Sequence, residues 1–336
     1  MVTIVKVNVL LAKWTVLYLV KGDPIRILYK GLHNRYTANL VTILQSLINL
    51  QHSPFPFNST SFLYITMDTS SSFKDVKALF FDVFGTVVDW RSTVTNELHT
   101  RAQQSLSKGP TNHAISGDVR ARASQMTREE WGALAQKWRA SYYAFTASIV
   151  RDPQTPYKTI DEHHHDALGE LLAESQLHGL WDDEELRDIS LIWHFLNPWA
   201  DSEHGIHLLN KRFKTCTLSN GNISLLTDMA RYGKLEWTYI LSSNLFGTYK
   251  PNPKVYLGGA KELGLKPSQC GMVAAHLRDL QAAKDCGFKV VYVTRPQEES
   301  WGAKDLAEAK RRGWVDVWID EDDNGFVTVA ERLGVK

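Results

Sequence analysis

Cysteine is scarce: Cys216, Cys270 and Cys286 are the only three in 336 residues, cannot all pair, and show no metal-ligand spacing. A disulfide-stapled scaffold is thereby excluded, and a reducing compartment is expected. An excess of one charge sign is also lacking, with 38 basic residues against 37 acidic ones and a net charge of +1. Nucleic acid as the main partner would then require a local basic stripe, and none is visible. No long uninterrupted apolar run exists: residues 2–20 are broken by Lys6 and Lys13, whereas a spanning helix wants about 20 mostly uncharged residues. Glycine-rich phosphate loops, a Ser-His-Asp order, zinc spacing and internal repeats are likewise absent. What is present is 43% hydrophobic, 11% aromatic and 22% charged residues. Those are globular values, and at roughly 150 residues per domain the length suggests two domains.

The first stretch differs from the rest. Up to Thr66 the basic residues are Lys6, Lys13, Lys21, Arg26, Lys30 and Arg35 against the single acid Asp23, a local charge of +5. Such a bias resembles a targeting or membrane-facing segment. The alternative is a dispensable extension, because Met67 followed by Asp-Thr-Ser-Ser-Ser reads as an ordinary start. Asn58-Ser59-Thr60 is a glycosylation sequon that matters only in a secreted chain.

Beyond a Ser/Thr/Pro-rich linker at 53–72, residues 76–81 form a short apolar run that stops at Asp82. It reads as a parallel strand covered on both faces. From 93 to about 199 the texture is helical. Thr127 and Glu130 form a capping box ahead of Trp131, Leu134, Ala135, Trp138, Tyr142 and Phe145 on one face. Further helices are predicted near 161–176 and 182–196. From Arg212 the pattern alternates: strands at 213–218, 239–242, 271–275, 289–293 and 315–319, with helices between them that stop at Gly233, Gly264 and Gly287. This is the signature of a doubly wound parallel α/β sheet of Rossmann type. The strand before Asp82 is too short to form a domain alone. The expected organisation is therefore an extension and linker at 1–72, a core domain at 73–92 plus 205–336, and an inserted all-helical cap at 93–204. Ligands in such sheets bind beyond the carboxyl ends of the strands. Asp82, Ser219, residues 242–244 and residues 274–279 should converge there.

Four segments carry a resemblance. Phe81-Asp82-Val83-Phe84-Gly85-Thr86-Val87, Leu218-Ser219-Asn220-Gly221, Tyr249-Lys250-Pro251-Asn252-Pro253-Lys254-Val255-Tyr256 and Val273-Ala274-Ala275-His276-Leu277-Arg278-Asp279 stand in the order of the four motifs of the haloacid dehalogenase superfamily. Within it the chain is similar to the type II (S)-2-haloacid dehalogenases, particularly fungal members. The resemblance begins near Val76 and leaves the first 70 or so residues unexplained. It implies hydrolysis of a short 2-haloacid to a 2-hydroxy acid and halide through an aspartyl ester, with no metal or organic cofactor. The implied partner is that small substrate, with nucleic acid excluded, a membrane disfavoured and a homodimer left open. A cytoplasmic location is expected, with mitochondrial or secretory targeting left open by the extension.

The residues carry that chemistry as follows. Asp82 at a strand end is either a turn residue or a carboxylate nucleophile that splits a displacement into ester formation and hydrolysis. Phe84 stands where the superfamily's phosphatases place a second aspartate as general acid and backbone magnesium ligand. A phenyl ring donates no proton, and a halide needs none to leave. A magnesium-dependent phosphatase is the alternative that Phe84 opposes, and a catalytically silent relative is another. Lys250 matches the lysine that stabilises the nucleophile and the charge developing during hydrolysis. Ser219 and Asn220 at a helix start, and Thr86, are expected to hold the substrate carboxylate, although helix capping explains them too. Arg139, in a Trp-Arg pair on the capped helix, matches the arginine that contacts the departing halide; alone, it would read as a snorkelling surface residue. Tyr256 matches the motif's aromatic residue near the nucleophile, with core packing as the competing reading. Asp279 matches the aspartate that orients the lysine or the water. His276, where bacterial enzymes have asparagine, either orients or deprotonates the hydrolytic water or is a structural histidine. His163-His164-His165 reads as a solvated helix start, since consecutive helical residues point about 100° apart and suit no shared ion.

Overall fold

The computed structural model describes residues 3–9 and 14–20, whose backbone alone is considered, and residues 72–107, 115–152, 154 and 156–335. The chain divides into two compact units, residues 1–67 and 68–336. In the first, strands β1 (Thr3–Val9) and β2 (Trp14–Val20) pair antiparallel over their full length, from Thr3 opposite Val20 to Val9 opposite Trp14. No helix among the described residues is long and apolar enough to cross a membrane. The sequon at Asn58, the start at Met67 and all but the last residue of the linker lie outside the described residues.

The second unit is built on strand β3 (Ala78–Phe81). All four of its side chains are buried, and the two-residue period sends them alternately into two cores. Leu79 and Phe81 enter one core; Ala78 and Phe80 enter the other with Tyr256 and Phe288. A polar residue on either face of this strand would therefore be buried. Next come β4 (Val88–Asp89), α1 (Trp90–Ser107), α2 (Gly117–Gln125), α3 (Arg128–Arg151), α4 (Ile160–Glu174), α5 (Asp183–Ser190) and β5 (Asn197–Pro198). The remaining elements alternate: α6 (Ser202–Leu209), β6 (Lys214–Ser219), α7 (Ile223–Tyr232), β7 (Tyr239–Ser242), α8 (Pro253–Glu262), β8 (Cys270–Ala274), α9 (Leu277–Asp285), β9 (Lys289–Val293), α10 (Ala303–Arg312), β10 (Val317–Ile319) and α11 (Gly325–Arg332).

Six strands form one parallel sheet in the order β10-β9-β8-β3-β6-β7. Strand β3 lies between β6 and β8, so the chain leaves it toward one side and later continues on the other. That reversal opens a crevice at the carboxyl end of β3, where Asp82 follows. The region expected to be all helical contains one departure: β5 pairs antiparallel with β4, so that the two ends of the helical insertion meet in a two-residue ladder. Helices α6, α10 and α11 are additions to the predicted elements.

The core containing Phe81 continues without a break through Phe84, Val87, Val88 and Trp90 into Trp131, Trp138, Leu168 and Trp193 of the helical region. An aromatic side chain buries roughly 150–250 Å², so this seam holds the two regions against each other. Helix α3 opens with the predicted capping box, Thr127 accepting from Glu130 N while the Glu130 carboxylate accepts from Thr127 N. Its buried face includes Trp131, Leu134, Ala135, Trp138 and Tyr142, together with Arg139.

Candidate active site

Asp82 is 8% exposed, and both its carboxylate oxygens are engaged. Oδ1 accepts from Lys250 Nζ at 2.9 Å, and Oδ2 accepts from Thr86 Oγ1 at 2.8 Å and faces His276 Nδ1 at 3.0 Å. Lys250 Nζ also donates to Asp279 Oδ2 at 2.6 Å, and Tyr256 Oη donates to Asp279 Oδ1 at 2.5 Å. The loop geometry explains this convergence. Asp82 and Asp279 follow β3 and β8, Ser219 is the last residue of β6, and Lys250 lies in the connection before α8. Asn220 fixes that connection, its side chain accepting from Lys250 N at 2.8 Å and facing Lys250 O at 3.5 Å.

Burial alone would raise the pKa of Asp82, but the Lys250 ammonium and His276 outweigh it and hold the carboxyl well below its usual range. Asp279 moves the other way: burial and the charge on Asp82 exceed the pull of Lys250. Of the two carboxylates sharing one lysine, Asp82 is thus the one whose ionised form is favoured, as suits a nucleophile. Burial disfavours the charged lysine, but Asp279 and Asp82 together push its pKa up, so the cation is retained. His276 is raised well above its ordinary value; burial opposes this, while Tyr143, Asp82 and Glu298 favour the imidazolium. The resting histidine is therefore a donor, and the expectation that it deprotonates water does not hold for that state.

Arg139 occupies a different environment. It is 3% exposed, and its guanidinium carbon lies 5.2 Å from the Phe84 ring centre, 5.6 Å from Trp90, 4.5 Å from Tyr142 and 4.6 Å from Tyr143. Nη2 donates to Tyr143 Oη at 3.1 Å, whereas Nε and Nη1 have no hydrogen-bond partner among the described residues. Burial disfavours its charge, but Tyr143, Tyr142, Glu298 and Asp82 together keep it protonated. Tyr142, pushed up to about 12 mainly by burial, stays neutral. A buried cation with two free donors in an aromatic cage is prepared for an anion. The snorkelling alternative is excluded by its burial.

The structure brings Asp82, Lys250, Asp279, His276, Thr86 and Tyr256 into one hydrogen-bonded cluster, and sets Phe84 and Arg139 together beside it. Two expectations change. The Thr86 hydroxyl donates to Asp82 and accepts from Ala275 N at 2.9 Å, so it orients the nucleophile instead of offering its proton to substrate. The Asn220 side chain is similarly committed, to Lys250 through both its amide atoms, whereas Ser219 Oγ only accepts, from Gly221 N at 3.2 Å, and keeps its own proton to donate. What remains there for a carboxylate is the Ser219 hydroxyl proton and backbone N–H at the start of α7. The solvated start expected for the histidine triplet is also corrected. His164 is 1% exposed and stacks on Trp193 with ring centres 4.4 Å apart, and His163 stacks on Phe145 at 4.5 Å. Burial holds His163 down to about 4 and His164 well below its ordinary value, so both are neutral.

One site residue was missed by sequence reasoning. Glu298, with its side chain 5% exposed, places Oε2 at 3.5 Å from His276 Nε2. A Cβ on Gly85, whose φ is +81°, would stand 2.0 Å from the same oxygen. The loop after the nucleophile therefore needs glycine for its backbone, and any side chain there would displace this carboxylate. The cysteines take no part: Cys216 and Cys270 are buried, which pushes their thiols up to about 12. Among the described residues no cluster of His, Cys, Asp and Glu is arranged to hold a metal ion.

Residues 76–287 match the family model of the haloacid dehalogenase-like hydrolases. The chain belongs to that family. The (S)-2-haloacid dehalogenase 1 of Pseudomonas sp. (strain CBS-3) is 25% identical over 235 residues, 67% of this chain and 89% of that protein. Two solved structures, the defluorinating L-2-haloacid dehalogenase Rha0230 and the L-2-haloacid dehalogenase PA0810, are each 32% identical to this hydrolase. They match 77% of this chain and 95% and 100% of their own, with TM-scores of 0.63 and 0.62.

Proposed function

We propose that this hydrolase displaces halide from short 2-haloacids through an ester on Asp82, giving 2-hydroxy acids. An Asp82 oxygen attacks the halogen-bearing carbon; the C–O bond forms as the C–halogen bond breaks, and halide leaves with the electron pair. Water then attacks the Asp82 carbonyl carbon, and collapse of the adduct restores the carboxylate. Lys250 stabilises the negative charge on the Asp82 oxygens in both steps. The observation that carries the reading is the contact of Arg139 with Phe84, 5.2 Å from guanidinium to ring. On the leaving-group side the site offers a cation and an apolar ring but no acid at position 84. That suits an anion that leaves without a proton and disfavours an alkoxide, which needs one.

The phosphatase alternative meets a second obstacle. Asp82 and Asp279, the carboxylates that would be asked to hold a divalent ion, already share the Lys250 ammonium, 2.9 and 2.6 Å from their oxygens. These residues do not fit a magnesium ion in that place. The test is a halide-release assay on chloro-, bromo- and fluoro-substituted short acids with wild type and Asp82→Asn. Release by wild type and loss in Asp82→Asn is expected. A magnesium-dependent signal on phosphate esters, without halide release, would overturn the reading.

A further inference from the structure

Beside His276 stands a charged side chain with no part in that mechanism. Glu298 stands in the loop after β9, its side chain 5% exposed and next to Gly85, and makes no contact with Asp82 itself. It meets the ring of His276 on the edge opposite Asp82: Nδ1 faces Asp82 Oδ2 at 3.0 Å and Nε2 faces Glu298 Oε2 at 3.5 Å. The result is a line of carboxylate, imidazole and carboxylate ending at the reacting group. Lys250 and Asp279 lie on the other side of Asp82, Tyr143 faces the histidine from α3, and Glu299 accepts from Leu277 N just beyond it.

We propose that Glu298 is a positioning residue for His276, and that the pair removes a proton from the water that hydrolyses the Asp82 ester. This rests on the ester reading above. Two flanking carboxylates keep both ring nitrogens protonated in the resting enzyme. Ester formation cancels the charge on Asp82, so only Glu298 still faces the ring. Its Oε2, 3.5 Å from Nε2 and an ion-pair contact instead of a hydrogen bond, favours the proton on Nε2 by charge, and the Nδ1 proton is lost to solvent, which is the proton released in the overall reaction. Nδ1 then carries a free lone pair directed at the ester. It takes one proton from water as the water oxygen bonds to the Asp82 carbonyl carbon. Collapse of that adduct breaks the bond to the substrate oxygen, which leaves with the second water proton as the product hydroxyl. Asp82 is again a carboxylate and His276 again an imidazolium, so atoms and charges balance. Without Glu298 nothing selects the tautomer with Nδ1 free.

Rapid-quench kinetics and intact-protein mass spectrometry with 2-chloropropionate separate the two steps. General-base catalysis contributes about 10²-fold or more, so in Glu298→Gln turnover should fall by about that factor, the first burst of halide should stay within about threefold of wild type, and the Asp82 adduct should accumulate. The inflection of turnover with pH should move to lower pH, since one carboxylate favouring the protonated ring is gone. His276→Gln should show the same adduct, and the double variant should lose no more than either single one. Glu298→Asp, which keeps the charge, should hydrolyse the ester faster than Glu298→Gln, and it decides the question if Glu298→Gln does not fold. Equal slowing of burst and turnover, no adduct and an unmoved inflection would overturn the proposal. Absence of any halide burst from wild type would instead overturn the dehalogenase reading.

Discussion

Replacing Lys250 by methionine removes the one cation between two buried carboxylates while keeping most of the side chain's volume. The lysine is 7% exposed on its side chain and lies 2.9 and 2.6 Å from Asp82 and Asp279. Unit charges about 4 Å apart interact by about 4 kcal/mol at an effective dielectric constant of about 20. If that much stabilisation is lost from the transition state, the rate falls by about 10³-fold, at about 1.4 kcal/mol per factor of ten. Stability should fall as well, by up to about 3–5 kcal/mol, because Asp279 is left buried with no cation beside it while Asp82 keeps only His276. Asp279 offers an escape. Its pKa is already raised by burial and by Asp82, and without the lysine it rises further. An acid whose folded pKa exceeds its unfolded value, about 3.9, weakens the fold as pH rises through the folded value. The stability loss in Lys250→Met should therefore be smaller in mild acid than at neutral pH, and Asp279→Asn added to it should recover part of the stability and none of the activity. Urea denaturation across pH and single-turnover halide release measure both effects. Activity within tenfold of wild type in Lys250→Met would refute the assigned role, and so would a stability loss independent of pH.

The remaining predictions concern the anion site and the framework. Bromide should raise the thermal midpoint of wild type in a concentration-dependent way, and Arg139→Met should abolish that rise, because ligand binding to the native state stabilises it by mass action; an identical rise in the variant would remove Arg139 from halide binding. Asp201 accepts from both Arg295 terminal nitrogens, at 2.6 and 2.8 Å, and from Phe326 N at 2.7 Å, while Arg295 Nε donates to Thr86 O at 3.0 Å. Breaking this buried pair with Asp201→Asn should cost about 3–5 kcal/mol, read as a lower urea midpoint, and a cost under about 1 kcal/mol would contradict the assignment. His194 sits between Asp228, at 2.9 Å, and Asp161, at 3.1 Å, and these lift its pKa although burial opposes them. Its stabilisation is complete below the unfolded value near 6.5 and is lost as pH rises through the folded one. Asp228→Asn should flatten that part of the stability profile; an unchanged profile would exclude the histidine.

Much of the site was legible because three of the four motifs end strands buried on both faces, while the Lys250 motif lies in the connection before α8. Residues 76–81 could only be such a strand, and that places Asp82 at a carboxyl end. The order of the six strands was not legible, since it depends on which side of β3 each crossover returns. Glu298 escaped notice because it lies in a loop with no pattern of its own, yet the signal existed: the loop follows β9, and strand ends were already the expected location of the site. His164 shares a helical face with Leu168 and Leu171 at four- and seven-residue steps, which should have outweighed its acidic neighbours. Strands β1 and β2 were judged against the length of a spanning helix, while the two-residue alternation of Val5, Val7 and Val9 already suited a strand. The pairing of β4 with β5 joins residues about 110 apart in sequence, and no local pattern announces such a ladder.

The central claim is the ester on Asp82, and oxygen tracing tests it most directly. A single turnover in heavy-oxygen water, with enzyme in excess over a 2-haloacid, should give a 2-hydroxy acid whose new oxygen is light and comes from Asp82. The heavy oxygen should appear in the peptide containing that residue. A product carrying solvent oxygen after the first turnover, with an unlabelled Asp82, would contradict the account.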